Sequence, residues 1–281
     1  MEILMNETDL QQKRVRDCAI PTIGLGTHDL KGYACLEAVV DAITLGYRHI
    51  DTAQAYGNEA AVGAGLIASG ISREEVFITD KIWWDKLAPD ALQKSLDRSL
   101  NELQTNYIDL LLIHWPSPDD VPLRDSLQAM YELKRSGKVK FIGVSNFNTS
   151  LMKSALTYED IVCNQIEYHP FLAQQEMIDL ALDHSFFVIA YSPLAQGEVL
   201  EDDTLIGLGI KYGKSASQIA LRWLIQQHLV VAIPRSSSQE HREANIDIFD
   251  FELSEVEMSE ISKMGDREQR LIDPEFAPAW D

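Results

Sequence analysis

Short apolar runs and stretches of helical apolar spacing alternate along almost the whole chain. The runs Ile20–Leu25, Val76–Thr79, Ile108–Ile113, Val139–Val144, Phe186–Ala190 and Leu229–Ile233 are each bounded by polar or turn residues. Between them apolar residues recur on one helical face: Ala34 to Leu45, Ala91 to Leu100, Met177 to Leu182 and Ile219 to Ile225. Helix starts are signalled by Ser72-Arg-Glu-Glu75, Pro89-Asp90, Pro122 and Ser254-Glu-Val-Glu257. Strands that are apolar on both faces need cover on both, so this alternation predicts a parallel sheet wrapped by helices. Eight units follow one another without a Pro/Gly/Ser-rich linker. The expectation is an α/β fold, a single-domain (β/α)8 TIM barrel over residues 1–281, with residues 1–13 as a flexible or peripheral extension. An open doubly wound sheet is the alternative that the same alternation allows.

The runs stop at informative residues: Gly26-Thr27, Asp51, Lys81, His114, Ser145-Asn146, Gln165 to Glu167, Tyr191-Ser192 and Arg235-Ser236. In a closed barrel the C-terminal strand ends converge on one mouth, where the active sites of this architecture lie. Titratable and hydrogen-bonding groups from eight strand ends would then line one cavity, which is the composition of an active site.

Composition narrows the partners. The 281 residues carry 24 Lys+Arg against 44 Asp+Glu, a net charge of −20. That sign disfavours nucleic acid and anionic membrane surfaces. No apolar run approaches the ~18 residues that suggest a membrane span, and the N-terminal stretch does not read as a signal peptide. Cys18, Cys35 and Cys163 are scattered, without zinc spacing or a redox pair, so a reducing cytoplasm is expected and no metal is implied. Gly63-Ala-Gly65-Leu-Ile-Ala68 matches a dinucleotide fingerprint in letters but lies inside a helical pattern, not on a strand-to-helix turn. Gly213-Lys214-Ser215 lacks the first glycine of a phosphate loop, Leu208 standing there, and reads as a helix break followed by a Ser217 cap. Asn6 and Asn148 are glycosylation acceptors only in a secreted chain. His169, His184 and His228 have no partners at metal spacing and read as structural.

Asp51, Tyr56, Lys81 and His114 form the strongest constellation. A tyrosine has an ordinary pKa near ~10, too high for easy proton donation at neutral pH. A lysine ammonium against its hydroxyl lowers that value, and a buried aspartate keeps the lysine charged and fixed. A neutral histidine can orient a carbonyl by donating to its oxygen. The set suits acid catalysis at a carbonyl.

With these residues in place the sequence resembles the aldo-keto reductases. The resemblance is carried by Gly24-Leu-Gly-Thr27, Gly46-Tyr-Arg-His-Ile-Asp-Thr-Ala53 with Tyr56-Gly-Asn-Glu59, and Tyr107-Ile-Asp-Leu-Leu-Leu-Ile-His-Trp-Pro116. It continues through Gly137-Lys-Val-Lys-Phe-Ile-Gly-Val-Ser-Asn-Phe147, Asn164-Gln-Ile-Glu-Tyr-His-Pro170, Ala190-Tyr-Ser-Pro193 and Ala232-Ile-Pro-Arg-Ser236. Within that family the short ending, Arg270-Leu-Ile-Asp-Pro and Ala277-Pro-Ala-Trp-Asp281, is similar to that of the small prokaryotic 2,5-diketo-D-gluconate and methylglyoxal reductases. The resemblance implies an extended NADPH lying across the strand ends without a Rossmann motif, with NADH as a second candidate. It implies Tyr56 as general acid, with Lys81, Asp51 and His114 around it. Ser145, Asn146 and Gln165 would hold the nicotinamide carboxamide, and Tyr191 would stack on the ring. Gly26 and Thr27 join the cofactor side, Ser192 and Leu194 begin a loop over the pyrophosphate, and Arg235 and Ser236 grip the adenosine 2′-phosphate. His241 and Asn245 lie at the adenine. The substrate would be a small-molecule carbonyl and the protein a monomer.

Two positions depart from the family pattern. Ser238 and His241 stand where relatives often carry arginines, which weakens the expected preference for NADPH. His28 stands where Trp or Phe is usual and gives the pocket a polar wall, with Trp83, Trp115 and Trp280 as apolar walls. Two other classes are kept open: a nucleotide-binding regulator on the same fold, and a barrel hydrolase using Asp51 and Glu167 as paired carboxylates.

Overall fold

The computed structural model describes residues 11–118, 121–158 and 160–281. Eight parallel strands follow in spatial order of sequence: β3 (Leu25–Gly26), β4 (His49–Asp51), β5 (Phe77–Ile82), β6 (Ile108–Ile113), β7 (Val139–Ser145), β8 (Cys163–Glu167), β9 (Phe187–Tyr191) and β10 (Val230–Ala232). Parallel bridges Ile23–Ala232 and Gly26–Arg235 join the two ends. Gly24 N–H donates to the Ala232 carbonyl at 2.9 Å, and Gly26 N–H to the Pro234 carbonyl at 3.0 Å. The strands therefore curl into a barrel, as the alternation predicts. β4, β5, β6 and β8 are buried along their whole length; β6 is accordingly almost wholly apolar, whereas β4, β5 and β8 bury polar side chains such as His49, Asp51, Lys81 and Gln165.

The helices α1 (Gly32–Leu45), α2 (Glu59–Ser69), α3 (Pro89–Glu102), α4 (Leu123–Arg135), α5 (Thr149–Leu156) and α6 (Gln175–His184) follow β3 to β8 in turn. After β9 come α7 (Asp203–Tyr212) and α8 (Ala216–Gln226), and after β10 come α9 (Gln239–Ile246) and α10 (Glu255–Lys263). Among the described residues no helix is long and apolar enough to cross a membrane.

Four local expectations change. The run Ile20–Leu25 is divided: Cys18–Pro21 is β2, antiparallel to β1 (Gln12–Val15), and only Leu25–Gly26 enters the barrel. Pro21 has no amide hydrogen with which to continue a ladder. The hairpin sits at the end opposite the mouth, where Lys13 Nζ donates to the carbonyls of Ile225 (2.7 Å), Gln227 and Val230 (2.6 Å). Residues 1–10 of the expected extension lie outside the described residues, and Gln12 and Lys13 belong to β1. Ser72 and Glu75 do form a capping box, but the turn it opens ends after Arg73–Glu75, because β5 begins at Phe77. The cap of α8 is Ser215 rather than Ser217: Gln218 at the third position completes a reciprocal box with it. Gly213, at φ 66°, ends α7.

The letters of the dinucleotide fingerprint are explained by packing. Gly63 lies within α2, where a Cβ would meet the Leu103 carbonyl oxygen at 2.5 Å, and at Gly65 one would meet the Val39 Cβ at 2.8 Å. Both glycines let α2 approach its neighbours. Gly63→Ala is therefore expected to destabilise the fold by ~1–3 kcal/mol through overpacking, read as a lower urea midpoint at unchanged slope. An unchanged midpoint would contradict this role.

Candidate active site

Asp51 ends β4, Lys81 lies near the end of β5, and His114 follows β6, so barrel closure brings all three to one mouth. Tyr56 reaches them from the turn Gln54–Tyr56 after β4. That turn is pinned from both sides. Thr52 Oγ1 donates to Asn58 Oδ1 at 2.8 Å, and Asn58 Nδ2 donates to the Thr27 (2.8 Å) and Leu30 (3.0 Å) carbonyls. Gln54 Nε2 donates to Ser99 Oγ of α3 at 2.8 Å.

Lys81 is fully buried and donates to Asp51 Oδ1, to the Thr52 carbonyl at 2.9 Å, and to the Tyr56 hydroxyl at 3.4 Å. Gln165 Nε2 donates to Asp51 Oδ2 at 2.7 Å. Both carboxylate oxygens thus accept from strong donors, as an ionised Asp51 requires. Burial pulls the Lys81 ammonium down, but the Asp51 carboxylate more than offsets it, so its pKa lies above the usual lysine value. Burial pushes the His114 imidazole well below its ordinary range, with Lys81 and His28 adding to the effect, so the ring is neutral. Its Nδ1 is buried without a partner. One expectation is corrected in its net effect. Lys81 does favour the Tyr56 phenolate, but burial outweighs it, and the phenol lies above its ordinary value. Tyr56 is held as a proton-bearing hydroxyl.

The neighbouring strand ends form a connected amide and hydroxyl network. Asn146, in the left-handed region at φ 61°, donates from Nδ2 to the His114 carbonyl at 2.9 Å and accepts at Oδ1 from the Tyr191 hydroxyl at 2.8 Å. Ser145 Oγ donates to the Gln165 carbonyl at 2.8 Å, and Thr27 Oγ1 to the Asp51 carbonyl at 2.9 Å. Gln165 donates one N–H to Asp51, and its side-chain oxygen is an acceptor. Tyr191 lies at the end of β9. Beyond it Ser192, Ala195 and Gln196 have φ of 46°, 46° and 53°, turning the chain sharply through Leu194 to Gly197. On the far side, Arg235 is exposed and its Nε donates to the His28 carbonyl at 3.1 Å. Ser236 Oγ bonds Ser238, which caps α9 and accepts from His241 N–H. His241 is exposed and Asn245 buried.

Another part of the mouth is lined by aromatic rings. The His28 ring lies edge-on to Tyr56 at 4.9 Å between centroids and is exposed, with Asp29 3.3 Å from its Nδ1. Trp83 lies 5.0 Å from His114. Trp115 is buried and packs against Trp280 at 6.1 Å. Phe276 has no role in the expectations drawn from the sequence, and Arg270 and Asp281 enter them only as part of the family-like ending. Phe276 touches Trp83 (5.8 Å), Trp84 (5.8 Å) and Trp115 (5.4 Å). Arg270 places its guanidinium 3.9 Å from the centre of the Trp280 ring, and Thr149 N–H and Oγ1 hold the Asp281 side chain at 2.6 and 2.9 Å. The tail is anchored by Glu167, which accepts from Leu271 N–H (2.7 Å) and Ile272 N–H (2.9 Å) and pairs with His169 at 3.0 Å. Glu167 is fully buried in that role, so it is not free to act as the second carboxylate beside Asp51 that a hydrolase needs. His169 is structural, as expected from the sequence.

The known proteins agree with the geometry. The sequence profile of the Aldo/keto reductase family matches residues 22–266. The chain is 40% identical over 268 residues to methylglyoxal reductase DkgB of Escherichia coli O157:H7, covering 94% of this chain and 100% of that protein. It is 40% identical over 253 residues to the glyoxal reductase of Bacillus subtilis strain 168, covering 89% and 91%. The crystal structure of a Bombyx mori aldo-keto reductase in complex with NADP superposes with a TM-score of 0.87 at 36% identity, over 93% of this chain and 94% of that one. A barrel of eight parallel strands, a buried lysine–aspartate pair under a tyrosine, and a profile match over nearly the whole chain lead to one conclusion: this protein is an oxidoreductase belonging to the aldo/keto reductase family.

Proposed function

We propose that the chain reduces a small aldehyde or α-dicarbonyl, of the methylglyoxal or 2,5-diketogluconate type, with NADPH, and that Tyr56 supplies the proton. The observation that carries this reading is the Tyr56 hydroxyl, held in its protonated form 3.4 Å from Lys81 Nζ and edge-on to a neutral His114. The residues at the mouth suit the cofactor. Gln165 and Asn146 present amide oxygens that a carboxamide can meet, Tyr191 offers a ring, and Arg235 offers an exposed guanidinium to a phosphate.

When bound, the reduced nicotinamide supplies the hydride. His114 orients the carbonyl by donating to its oxygen. As negative charge develops on that oxygen, the Tyr56 hydroxyl transfers its proton, and Lys81 stabilises the phenolate left behind. Asp51 keeps Lys81 charged and aimed through the reaction. Phe276, Trp83, Trp115 and Trp280 exclude water around the reacting carbon. A cytoplasmic monomer is the state that accompanies this reading.

The test is oxidation of NADPH in the presence of methylglyoxal, 2,5-diketogluconate and aromatic aldehydes. Turnover supports the reading. Tight NADPH binding without turnover across that panel would favour a nucleotide-binding regulator instead. Arg235 provides a separate prediction. A charge-assisted hydrogen bond contributes ~1.5–3 kcal/mol, so Arg235→Ala should raise the KM for NADPH by about 10- to 100-fold. The KM for NADH should barely move. Equal loss for both cofactors would show that Arg235 does not read the 2′-phosphate.

A further inference from the structure

Behind the tetrad lies a second pair of acids that the proposed reaction leaves unused. Successive side chains of a strand point to opposite faces. Lys81 points into the barrel, so its neighbour Asp80 points out, into the layer between β5 and the helices. There it meets Glu59, the first residue of α2, carboxyl facing carboxyl with no donor between them. Asp80 is 0% exposed and Glu59 2%. Asp80 Oδ1, Asp80 Oδ2 and Glu59 Oε1 are all buried without a partner.

Two ionised carboxylates cannot share such a place, because both desolvation and mutual repulsion oppose the second charge. One proton resolves the contact. It turns one oxygen into a donor and satisfies an oxygen of the other residue. Ser99 faces both acids, and its hydroxyl, which already accepts from Gln54 Nε2, has one hydrogen to offer them. Gln54 begins the turn that carries Tyr56, and it is bound again by Ser95 Oγ at 2.8 Å. The acids thus touch Lys81 through the backbone of β5 and Tyr56 through Ser99 and Gln54. The charged groups around them are few: Lys81 on the barrel side, committed to Asp51, and Glu102 and Arg98 of α3, paired with each other at 2.7 Å.

We infer that Glu59 and Asp80 share one proton and serve as a positioning dyad, holding the Tyr56 turn and Lys81 in register while keeping a single negative charge behind them. Its effect on the reaction rests on the assignment of Tyr56 as the acid, but the shared proton does not. Both acids bind protons more tightly when buried than in the unfolded chain, above all by desolvation, to which Glu59's charge adds for Asp80 and Glu102's charge adds for Glu59. Their proton affinities are raised on folding, so they cost stability as pH climbs from the unfolded carboxyl value through the folded one.

The experiment is a pair of thermal melts on the full chain, at about pH 5 and about pH 9, where unfolded carboxyls are ionised in both cases. Asp80→Asn, whose amide supplies the hydrogen permanently, should melt higher than the parent chain at the alkaline pH and gain nothing at the acid one. Glu59→Gln should show the same signature and serves if the first variant does not fold. Equal loss at both pH values for the folded variants would overturn the shared proton. The second readout is the pH profile of kcat/KM for carbonyl reduction in Glu59→Gln/Asp80→Asn. Asp80's charge opposes ionisation of Tyr56, so removing it should move the alkaline limb to lower pH. An unmoved limb would overturn the link to Tyr56. Absence of turnover in the parent chain would defeat the reductase reading while leaving the melts to decide the dyad.

Discussion

Tyr56→Phe should lose turnover by ~10²–10⁴-fold while the protein stays folded and still binds NADPH. The phenol is the proton source in the proposed reaction, and among the described residues no other hydroxyl is seen to touch Lys81. The loss corresponds to ~3–5 kcal/mol of barrier. Stability should change by less than ~1 kcal/mol, because Lys81 keeps Asp51 and the Thr52 carbonyl. The ring also remains to pack against His28 and His114. The separation matters: kcat/KM should fall with kcat, as for an interaction made only in the transition state. NADPH binding, followed by quenching of tryptophan fluorescence, should stay within about twofold of the parent chain. A variant that turns over normally would remove Tyr56 from the role of acid.

The second large effect is on Lys81, and it falls on the fold as well as on the reaction. Lys81→Met removes the positive partner from a fully buried pair and leaves Asp51 with only the Gln165 N–H. Breaking a buried pair in this way costs ~3–5 kcal/mol. The sign with pH follows from Asp51. Burial already pushes its carboxyl up, with Lys81 the main opposing influence. Without Lys81, Asp51 gives up its proton less readily when folded than when unfolded. The deficit is then largest at neutral pH and shrinks as pH falls toward the unfolded carboxyl value of ~3.9. Lys81→Met/Asp51→Asn should recover most of the stability and none of the turnover. Denaturant titrations at two pH values check the first statement and a steady-state assay the second. Full stability of Lys81→Met at neutral pH would mean that the pair is not a charged one.

Much of this was legible in the sequence, for physical reasons that can be named. A strand covered on both faces tends to be apolar, so β6 reads directly from Ile108-Asp-Leu-Leu-Leu-Ile113, with Asp109 its one polar residue. A polar residue at the end of such a strand has few places to go except the mouth, which made Asp51, Lys81 and His114 visible together. Capping boxes were equally plain at Ser72 and Ser254, although a box fixes only the first turn and cannot say whether a helix follows. What could not be read depends on contacts between distant positions. Lys13 looks like a surface residue until three carbonyls, from Ile225 in α8, Gln227 after it and Val230 at the start of β10, surround it. Phe276 and Arg270 have no periodicity to mark them, and they become part of the pocket only because Glu167 holds the tail across the mouth. Glu59 and Asp80 are more than twenty positions apart, and only the strand's alternation turns one acid toward the other. The net direction of Tyr56 was misread for a related reason: the lysine beside it was visible in the sequence, whereas the burial that outweighs it was not.

The departures at Ser238 and His241 bear on cofactor choice in a way the structure makes concrete. Ser238 serves as the cap of α9, and His241 lies exposed on its first turn. Neither adds a fixed positive charge beside Arg235. Arg242, one residue on, is buried instead, paired with Asp41 at 2.7 Å and donating to the Ser236 carbonyl at 3.0 Å. It shapes the loop that carries Arg235 and Ser236 but faces inward. Discrimination between NADPH and NADH therefore rests on Arg235 in this account, and the preference for NADPH should be smaller than in relatives with further arginines there.

The most direct test of the central claim is the loss of nicotinamide absorbance when NADPH and methylglyoxal are mixed with the parent chain and with Tyr56→Phe, side by side at neutral pH. The parent chain should turn over and the variant should lose at least about a hundredfold, with NADPH binding preserved in both. Turnover of similar speed in the two proteins would contradict that claim.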